Sequence, residues 1–141
     1  MSKESYSTKH IGGMAFETQF GNHKLVVDAD PGFGGEEKGP KPKPLVLNAL
    51  TGCTGMDVVS LLKKMRVEFK DLEINIDAEM TEEHPKYYNK IHLTYVIKAN
   101  EADRAKVEKA VNYSQERYCG VSLMLSKAAE LTYEIDMRPY G

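Results

Sequence analysis

A dense apolar stretch between Gly39 and Met65, GPKPKPLVLNALTGCTGMDVVSLLKKM, constrains the fold of this chain more than any other segment. It begins with prolines at positions 40, 42 and 44, and proline is tolerated in the first turn of a helix. From Leu45 onward, apolar residues are too frequent to occupy one helix face. Since a helix that is apolar nearly all round needs burial on several sides, the sequence predicts one long, buried helix.

Four polar side chains interrupt this helix, and they argue against a membrane span. A span needs about 20 mostly apolar residues, and the four interruptions are Asn48, Thr51, Asp57 and Ser60. We therefore expect the helix to be covered by protein, and no contact with a membrane. Apolar residues lie nearly all round this helix, which is a larger surface than one small domain is expected to cover. The sequence therefore predicts an intertwined homodimer, in which a second copy of the chain covers the rest. Interfaces of that kind bury about 2,000 Å² or more.

Composition places the chain among soluble globular proteins. A length of 141 residues suits one domain, 1–141, and the net charge of −2 gives no general attraction to nucleic acid or to anionic membrane surfaces. The polar amino terminus, MSKESYSTKH, lacks the apolar core of a signal peptide. The expected location is therefore the cytoplasm, and no nucleic-acid partner is expected.

The remaining periodicity predicts strands around the long helix and after it. An apolar pattern on both sides of Gly21-Asn22 predicts a hairpin within residues 8–29. Further along, the patterns predict an antiparallel strand pair, two helices and a closing strand, at 72–80, 91–97, 101–118, 121–129 and 131–135. This order predicts an α+β domain with antiparallel sheets. Residues 30–44 form a long loop, which is either a rim or lid of a site or a plain surface connection.

Two cysteines, Cys53 and Cys119, are the main candidates for chemistry. Cys53 lies near the middle of the long helix between Gly52 and Gly55, and helical glycines cost roughly 1 kcal/mol each relative to alanine. Something should therefore pack close to the backbone there. Because permanent disulfides are rare in cytoplasmic proteins, the two thiols are either buried small hydrophobes or redox-active groups.

Several classes of site lack their sequence signatures. There is no phosphate-binding glycine loop, no dinucleotide-binding G-x-G-x-x-G and no C-x-x-C dithiol. The four histidines, at positions 10, 23, 84 and 92, have no metal-ligand spacing. No metal site and no cofactor are therefore expected.

The segments around the two cysteines resemble the OsmC family, the osmotically inducible and organic-hydroperoxide-resistance proteins. The first is the Gly39–Met65 stretch and the second is SQERYCGVSLMLSKAAELTYEI. The order of elements is similar as well, and the resemblance covers most of the chain. It implies an OsmC-like fold with a long central helix, in which two chains wrap around each other and the two cysteines of a chain meet near the interface.

The resemblance also implies a chemistry. Cys53 would attack the O–O bond of an organic hydroperoxide as a thiolate and become a sulfenic acid. Cys119 would condense with it to a disulfide, which an external dithiol would reduce. By this correspondence Cys53 is the peroxidatic thiol and Cys119 the resolving thiol.

The sequence departs from the family in the groups that activate the first thiol. The peroxidases use an arginine from the amino-terminal strands and a glutamate near the positions of Lys43 and Pro44. Here the first arginine is Arg66, and the helix entry carries no acidic residue. Arg117, oriented by Glu116 or by Asp57, is a substitute cation; otherwise the Arg117–Glu116 pair is a solvated helix face.

Asp57, one helical turn after Cys53, would raise the pKa of a nearby thiol rather than lower it. Three interpretations follow. The chain is a thiol-dependent peroxidase, a relative that binds a small apolar or thiol-reactive molecule, or a structural dimer with inert cysteines.

Overall fold

The amino-terminal part of the chain contains a three-stranded antiparallel sheet in the computed structural model, which describes residues Met1–Gly141. Its strands are β1 (Thr8–His10), β2 (Phe16–Phe20) and β3 (His23–Val27). The predicted hairpin around Gly21-Asn22 is confirmed as β2–β3, and Gly21 takes a left-handed φ of 58°. β1 pairs with the outer side of β2, a third strand that the sequence did not separate from the hairpin.

The loop after β3 is held in place by hydrogen bonds to one buried carboxylate. Asp28 is 2% exposed, and it accepts backbone hydrogen bonds from Ala29 (2.8 Å), Glu36 (3.0 Å) and Lys38 (3.2 Å). A short 3₁₀ turn, Pro31–Phe33, lies within the loop. The segment predicted as irregular is therefore tied down along much of its length by its own chain.

The predicted segment forms a helix, α1 (Pro44–Lys64), which starts at the third proline, while its central place in the fold stays a prediction. One stripe of side chains at i, i+4 spacing is buried: Leu50, Thr54, Val58 and Leu62. Other apolar residues, such as Val46 and Met56, stay exposed in the single chain. The helix is long and apolar enough to cross a membrane, with a mean hydropathy of 1.5. One such helix is weak evidence for a membrane span, because core helices of soluble proteins pass the same criterion.

The chain divides into two compact units, Met1–Asn48 and Ala49–Gly141, and the second contains a three-stranded sheet. Its strands are β4 (Phe69–Met80), β5 (Tyr88–Ala99) and β6 (Glu130–Pro139). The antiparallel β4–β5 pair is confirmed. The single-domain assignment stays a prediction.

The expectation of antiparallel sheets is wrong for the last strand pair. β6 runs parallel to β5, with Tyr95 opposite Ile135. The physical reason is the helical crossover between the two strands, which returns the chain to the end of the sheet where β5 began. Parallel neighbours need a connection of this length, whereas antiparallel neighbours can be joined by a short turn.

The crossover consists of two helices joined by a wider turn. α2 spans Arg104–Tyr113, a π-helical turn spans Ser114–Tyr118, and α3 spans Gly120–Ser126. The interruption expected at Cys119 is confirmed, while α3 ends three residues earlier than predicted. The core of this unit consists mainly of buried residues from β5 and α2, namely Ile91, Leu93, Tyr95, Ile97, Val107, Ala110 and Val111.

Candidate functional site

The two thiols of one chain lie side by side. The sulfur atoms of Cys53 and Cys119 and a carboxylate oxygen of Asp57 all lie within 4.8 Å of one another. Both cysteines are free thiols. Residues that are 66 positions apart in the sequence are therefore brought together by the fold, which confirms the expectation that the cysteines meet.

Two local structures produce this arrangement. Cys53 and Asp57 are four residues apart on α1, so their side chains share one helix face. Cys119 follows the π-helical turn, and its backbone N–H donates a 2.8 Å hydrogen bond to the carbonyl of Ser114, the five-residue step of a π-helix. The backbone N–H of Ser122 then donates to Cys119 Sγ at 3.3 Å. The turn thus sets where the second sulfur lies.

The two thiols differ in exposure. Cys119 is only 3% exposed, whereas Cys53 is half-buried. A small molecule from solvent therefore reaches Cys53 more easily than Cys119. A thiol that attacks a substrate must be reachable from solvent, whereas a thiol that resolves the product need only reach the first sulfur. The difference in exposure between Cys53 and Cys119 suits these two roles.

The surroundings of Cys53 favour its neutral form. Burial raises the pKa of the Cys53 thiol, and a hydrogen bond from its side chain to Cys119 raises it further. The backbone N–H of Val121 acts in the opposite direction, and the charges of Cys119 and Asp57 add smaller increases to the pKa. Asp57 therefore raises the pKa of Cys53, as predicted. The two largest causes, burial and Cys119, also raise this pKa and so disfavour the reactive thiolate.

A buried hydrogen-bond chain ends at Asp57. Thr54 Oγ1 lies 2.7 Å from both Tyr95 Oη and Ser114 Oγ. Ser114 Oγ donates to Asp57 Oδ2 at 3.0 Å, and Gln115 Nε2 donates to Tyr95 Oη at 2.6 Å. Since a carboxylate only accepts, Ser114 must accept from Thr54, and Thr54 from Tyr95. All donors therefore point one way, from Gln115 to Asp57.

Sequence reasoning missed the members of this chain other than Asp57. A signal existed for Thr54, because it is a polar residue within the i, i+4 stripe that buries Leu50 and Val58. Ser114 and Gln115 carried no such signal, since the π-helical turn that orients them leaves no recognisable pattern in the sequence.

Arg117 and Glu116 lie on the exposed side of the π-helical turn. The guanidinium carbon of Arg117 is 4.4 Å from the centre of the Tyr113 ring, a cation–π contact. Both residues line a cavity of about 360 Å³ that Cys119 and Ser122 also line. The structure thus places Arg117 and Glu116 near one of the two thiols, with Arg117 held by an aromatic ring.

A second, wider cavity of about 610 Å³ lies along α1 and is lined by Gly52, Gly55, Met56 and Val59 among others. A Cβ added at Gly55 would lie 3.2 Å from Ile74 Cδ1, whereas one at Gly52 would meet nothing within 4 Å. The close packing predicted for these glycines is therefore confirmed at Gly55, but no atom of the same chain packs against Gly52.

Comparison with known protein families gives a match to the OsmC-like protein model over residues 35–134. The chain belongs to the OsmC-like family. Protein YhfA of Escherichia coli (strain K12) is 35% identical over 131 residues, which is 92% of this chain and 94% of that relative. The family assignment is consistent with a redox protein whose two cysteines lie close together.

Several solved structures share this fold. A hypothetical protein from Aquifex aeolicus VF5 superposes with a TM-score of 0.79 at 28% identity, covering 98% of this chain and 99% of that chain. An organic hydroperoxide resistance protein OsmC from Legionella pneumophila superposes with a TM-score of 0.69 at 17% identity, covering 96% and 99%. At that identity the second likeness concerns the fold alone.

Proposed function

We propose that this OsmC-like protein reduces organic hydroperoxides, with Cys53 as the peroxidatic thiol and Cys119 as the resolving thiol. The observation that carries the proposal is the juxtaposition of two free thiols within 4.8 Å, of which Cys53 is the more exposed. Membership of the OsmC-like family adds support.

The reaction proceeds in three balanced steps. The Cys53 thiolate attacks the hydroperoxide O–O bond, giving the Cys53 sulfenic acid and, after protonation, an alcohol. The Cys119 thiol displaces water from the sulfenic acid to form the disulfide. An external dithiol then reduces the disulfide by thiol–disulfide exchange and becomes oxidised itself.

The cavity along α1 supports an organic rather than an inorganic hydroperoxide as substrate. Most of its surface is apolar. It lies on the same turns of α1 as Cys53, although Cys53 does not line it, and its lining residues are Thr51, Gly52, Gly55, Met56, Val59, Ser60 and Lys63. An alkyl or aryl group gains free energy by leaving water for such a surface, whereas hydrogen peroxide has no apolar part to bury.

Arg117 is the cation that we assign to this reaction, with Glu116 beside it. The charge that develops on the substrate oxygens needs a positive partner, and Arg117 lines the cavity that Cys119 also lines. To reach the oxygens, its guanidinium must leave the Tyr113 ring, a contact of the kind worth about 0.5–1 kcal/mol at an exposed site. That cost is small enough for substrate to supply.

A second function is favoured by a different observation. Burial, Cys119 and Asp57 all raise the pKa of Cys53, and the helix entry lacks an acidic residue. These features suit a non-peroxidatic relative that binds a small apolar or thiol-reactive molecule at the same thiols. In that case Cys53 is modified by a strong electrophile but does not turn over hydroperoxide.

The protein acts as a homodimer in this proposal, and its setting is the cytoplasm. Large apolar side chains stay exposed in the single chain, including Tyr6, Ile11, Met14, Phe16, Phe20, Val46 and Met56. A second copy would bury them. Light scattering at several protein concentrations tests this. Met56→Asp is expected to yield monomers, whereas Lys109→Asp, on the exposed side of α2, is expected to preserve the dimer.

The deciding experiment supplies cumene hydroperoxide and a dithiol to the reduced protein in the presence of a chelator. We expect continuous hydroperoxide consumption by the wild type, none by Cys53→Ser, and a single turnover by Cys119→Ser. Mass spectrometry should detect a Cys53–Cys119 disulfide after hydroperoxide is added without dithiol. Disulfide formation without turnover would favour the second function. If neither a disulfide nor hydroperoxide consumption is detected, that result would favour inert cysteines.

The role of Arg117 has a matched control. Arg117→Gln is expected to lower kcat/KM for cumene hydroperoxide by roughly 100- to 1,000-fold, the range for losing one electrostatic contact to a transition state. Arg104→Gln removes an arginine that pairs with Glu101 on the exposed surface of α2 and should leave kcat/KM unchanged. Equal effects of the two substitutions would remove Arg117 from the reaction.

A further inference from the structure

We propose that Cys53, Cys119 and Asp57 form a binding site for a thiophilic divalent metal ion of the Zn²⁺ class. The site uses the same two thiols as the proposed peroxidase, but metal binding requires neither hydroperoxide nor turnover. The unspaced histidines predicted no metal site, whereas these ligands are two thiols and a carboxylate that only the fold brings together.

The geometry fits three ligands around one ion. The three donor atoms lie within 4.8 Å of one another. Bond lengths of about 2.3 Å to sulfur and 2.0–2.2 Å to oxygen place tetrahedral zinc ligands about 3.5–3.8 Å apart. Cys53 and Asp57 share a face of α1 at i, i+4, the spacing by which one helix presents two ligands to a metal. Small side-chain movements would therefore complete the site.

The surroundings hold the carboxylate ligand in place. Ser114 donates to Asp57 Oδ2, and that hydroxyl is itself held by Thr54, which is buried and linked to Tyr95. Metal-ligating carboxylates are commonly oriented by such outer hydrogen bonds, and removing one of these partners typically costs 10- to 100-fold in metal affinity. The directed hydrogen-bond chain described above therefore has a role in a metal site beyond packing.

The charge and donor set also match a cation. The three side chains carry three negative charges when both thiols are deprotonated, so burying them together needs a cation. The backbone N–H of Ser122 donates to Cys119 Sγ at 3.3 Å. Such bonds stabilise sulfur in its charged, metal-binding form. Two thiolates with a carboxylate select zinc-like ions over magnesium or calcium, which prefer oxygen alone.

One unsatisfied group indicates where the fourth ligand belongs. Ser122 is 3% exposed, and its hydroxyl is buried without a hydrogen-bond partner. Ser122 lines the 360 Å³ cavity together with Cys119 but without Cys53 or Asp57, so its hydroxyl can bond to a water molecule on the Cys119 side of the ion. Three protein ligands with one position left to water is the arrangement of zinc sites that are open to small molecules.

The protons and ligands exchanged when the metal ion binds can be listed in full. The hydrated ion loses waters, each thiol releases one proton, and the carboxylate binds as it is. The bound ion occupies the sulfur electron pairs that hydroperoxide attack requires. Oxidation of the two thiols to a disulfide would conversely remove both sulfur ligands and release the ion, so the metal and the disulfide exclude each other.

The test uses the full-length protein, reduced, freed of metal by a chelator and then separated from the chelator. Titration with Co²⁺ is expected to give the sulfur-to-cobalt charge-transfer absorption at one ion per chain, and Zn²⁺ should abolish that absorption by displacement. Cys53→Ser and Cys119→Ser should each lose the two-sulfur spectrum. Asp57→Asn, which can still accept the Ser114 hydrogen bond, should weaken Zn²⁺ binding at least tenfold.

Two further variants make the assignment specific. Asp77→Asn makes the same change on an exposed position of β4 and should leave Zn²⁺ affinity unchanged. Ser114→Ala leaves all three ligands in place and should weaken binding by about 10- to 100-fold. Stoichiometric Co²⁺ binding without sulfur charge transfer, or binding that survives in the double Cys→Ser variant, would overturn the proposal. Peroxidase activity is measured separately with chelator present, so either proposal can fail alone.

Discussion

The hydroxyl groups of Thr54 and Ser114 are 2.7 Å apart, although 60 residues separate them in the sequence. The contact joins the buried stripe of α1 to the π-helical turn, the two structures that carry Cys53 and Cys119. Both hydroxyls are fully buried. Because an unpaired buried hydroxyl is costly, this bond fixes the two cysteine-bearing segments relative to each other.

Tyr95→Phe is expected to destabilise the protein by about 1–3 kcal/mol, because it removes the donor to Thr54 and the acceptor for Gln115 in a buried site. Urea unfolding followed by circular dichroism measures the loss in free energy. Tyr133→Phe is the matched control, since its hydroxyl bonds to Asn112 in a half-buried site. A loss for Tyr95→Phe no larger than that of the control would mean that the buried chain contributes little to stability.

Asp57→Asn is expected to lower the pKa of Cys53, because the carboxylate charge is one of the groups that raise it. More thiolate at neutral pH means faster alkylation. The measurement is the rate of iodoacetamide reaction at Cys53 against pH, with chelator present and in the Cys119→Ser background. An alkylation rate that is unchanged or lower would contradict the prediction.

Asp28 should make the folded protein sensitive to acid. Its pKa is lowered chiefly by the backbone hydrogen bonds from Glu36 and Ala29. A lowered folded-state pKa contributes stability above the unfolded value of about 4, and that contribution is lost as pH falls through the folded value. In Asp28→Asn, the free energy of unfolding should be lower at pH 7, and the difference from wild type should shrink on acidification. A difference that is constant with pH would exclude this role.

Arg66, two residues after the last residue of α1, has a left-handed conformation with φ at 57°, which a side chain adopts at a cost. Arg66→Gly is therefore expected to raise the free energy of unfolding by roughly 0.5–1 kcal/mol, the gain being limited by the greater freedom of glycine in the unfolded chain. Lys64→Gly, two residues earlier in the last helical turn, should lower stability by about 1 kcal/mol. Thermal and urea unfolding of both variants, at equal protein concentration, check the two signs.

The helix α1 and the first hairpin could be predicted from sequence because local signals determine them. The prolines before Leu45 and the density of apolar residues after it fix the start and type of the helix. The Gly21-Asn22 pair fixes the turn between β2 and β3. These signals act over a few residues, so no knowledge of distant contacts is needed.

Strand neighbours and the hydrogen-bond chain could not be predicted because they depend on distant residues. The pattern of residues 131–135 indicates a strand, but it carries no information about which edge of β5 it joins or in which direction. Likewise, nothing near Thr54 reveals that Tyr95 and Ser114 satisfy its hydroxyl. The pairing of Cys53 with Cys119 came from resemblance to a family, since periodicity alone left both thiols unassigned.

The widened turn at Ser114–Tyr118 has a consequence for reading related sequences. Deleting one residue from this turn would remove the five-residue hydrogen bond from Cys119 to Ser114 that sets where the second sulfur lies, while leaving both cysteines in the alignment. Counting conserved cysteines would then classify such a relative as redox-competent when its sulfurs no longer face each other. The length of the segment between Tyr113 and Cys119 is the better diagnostic of a working pair.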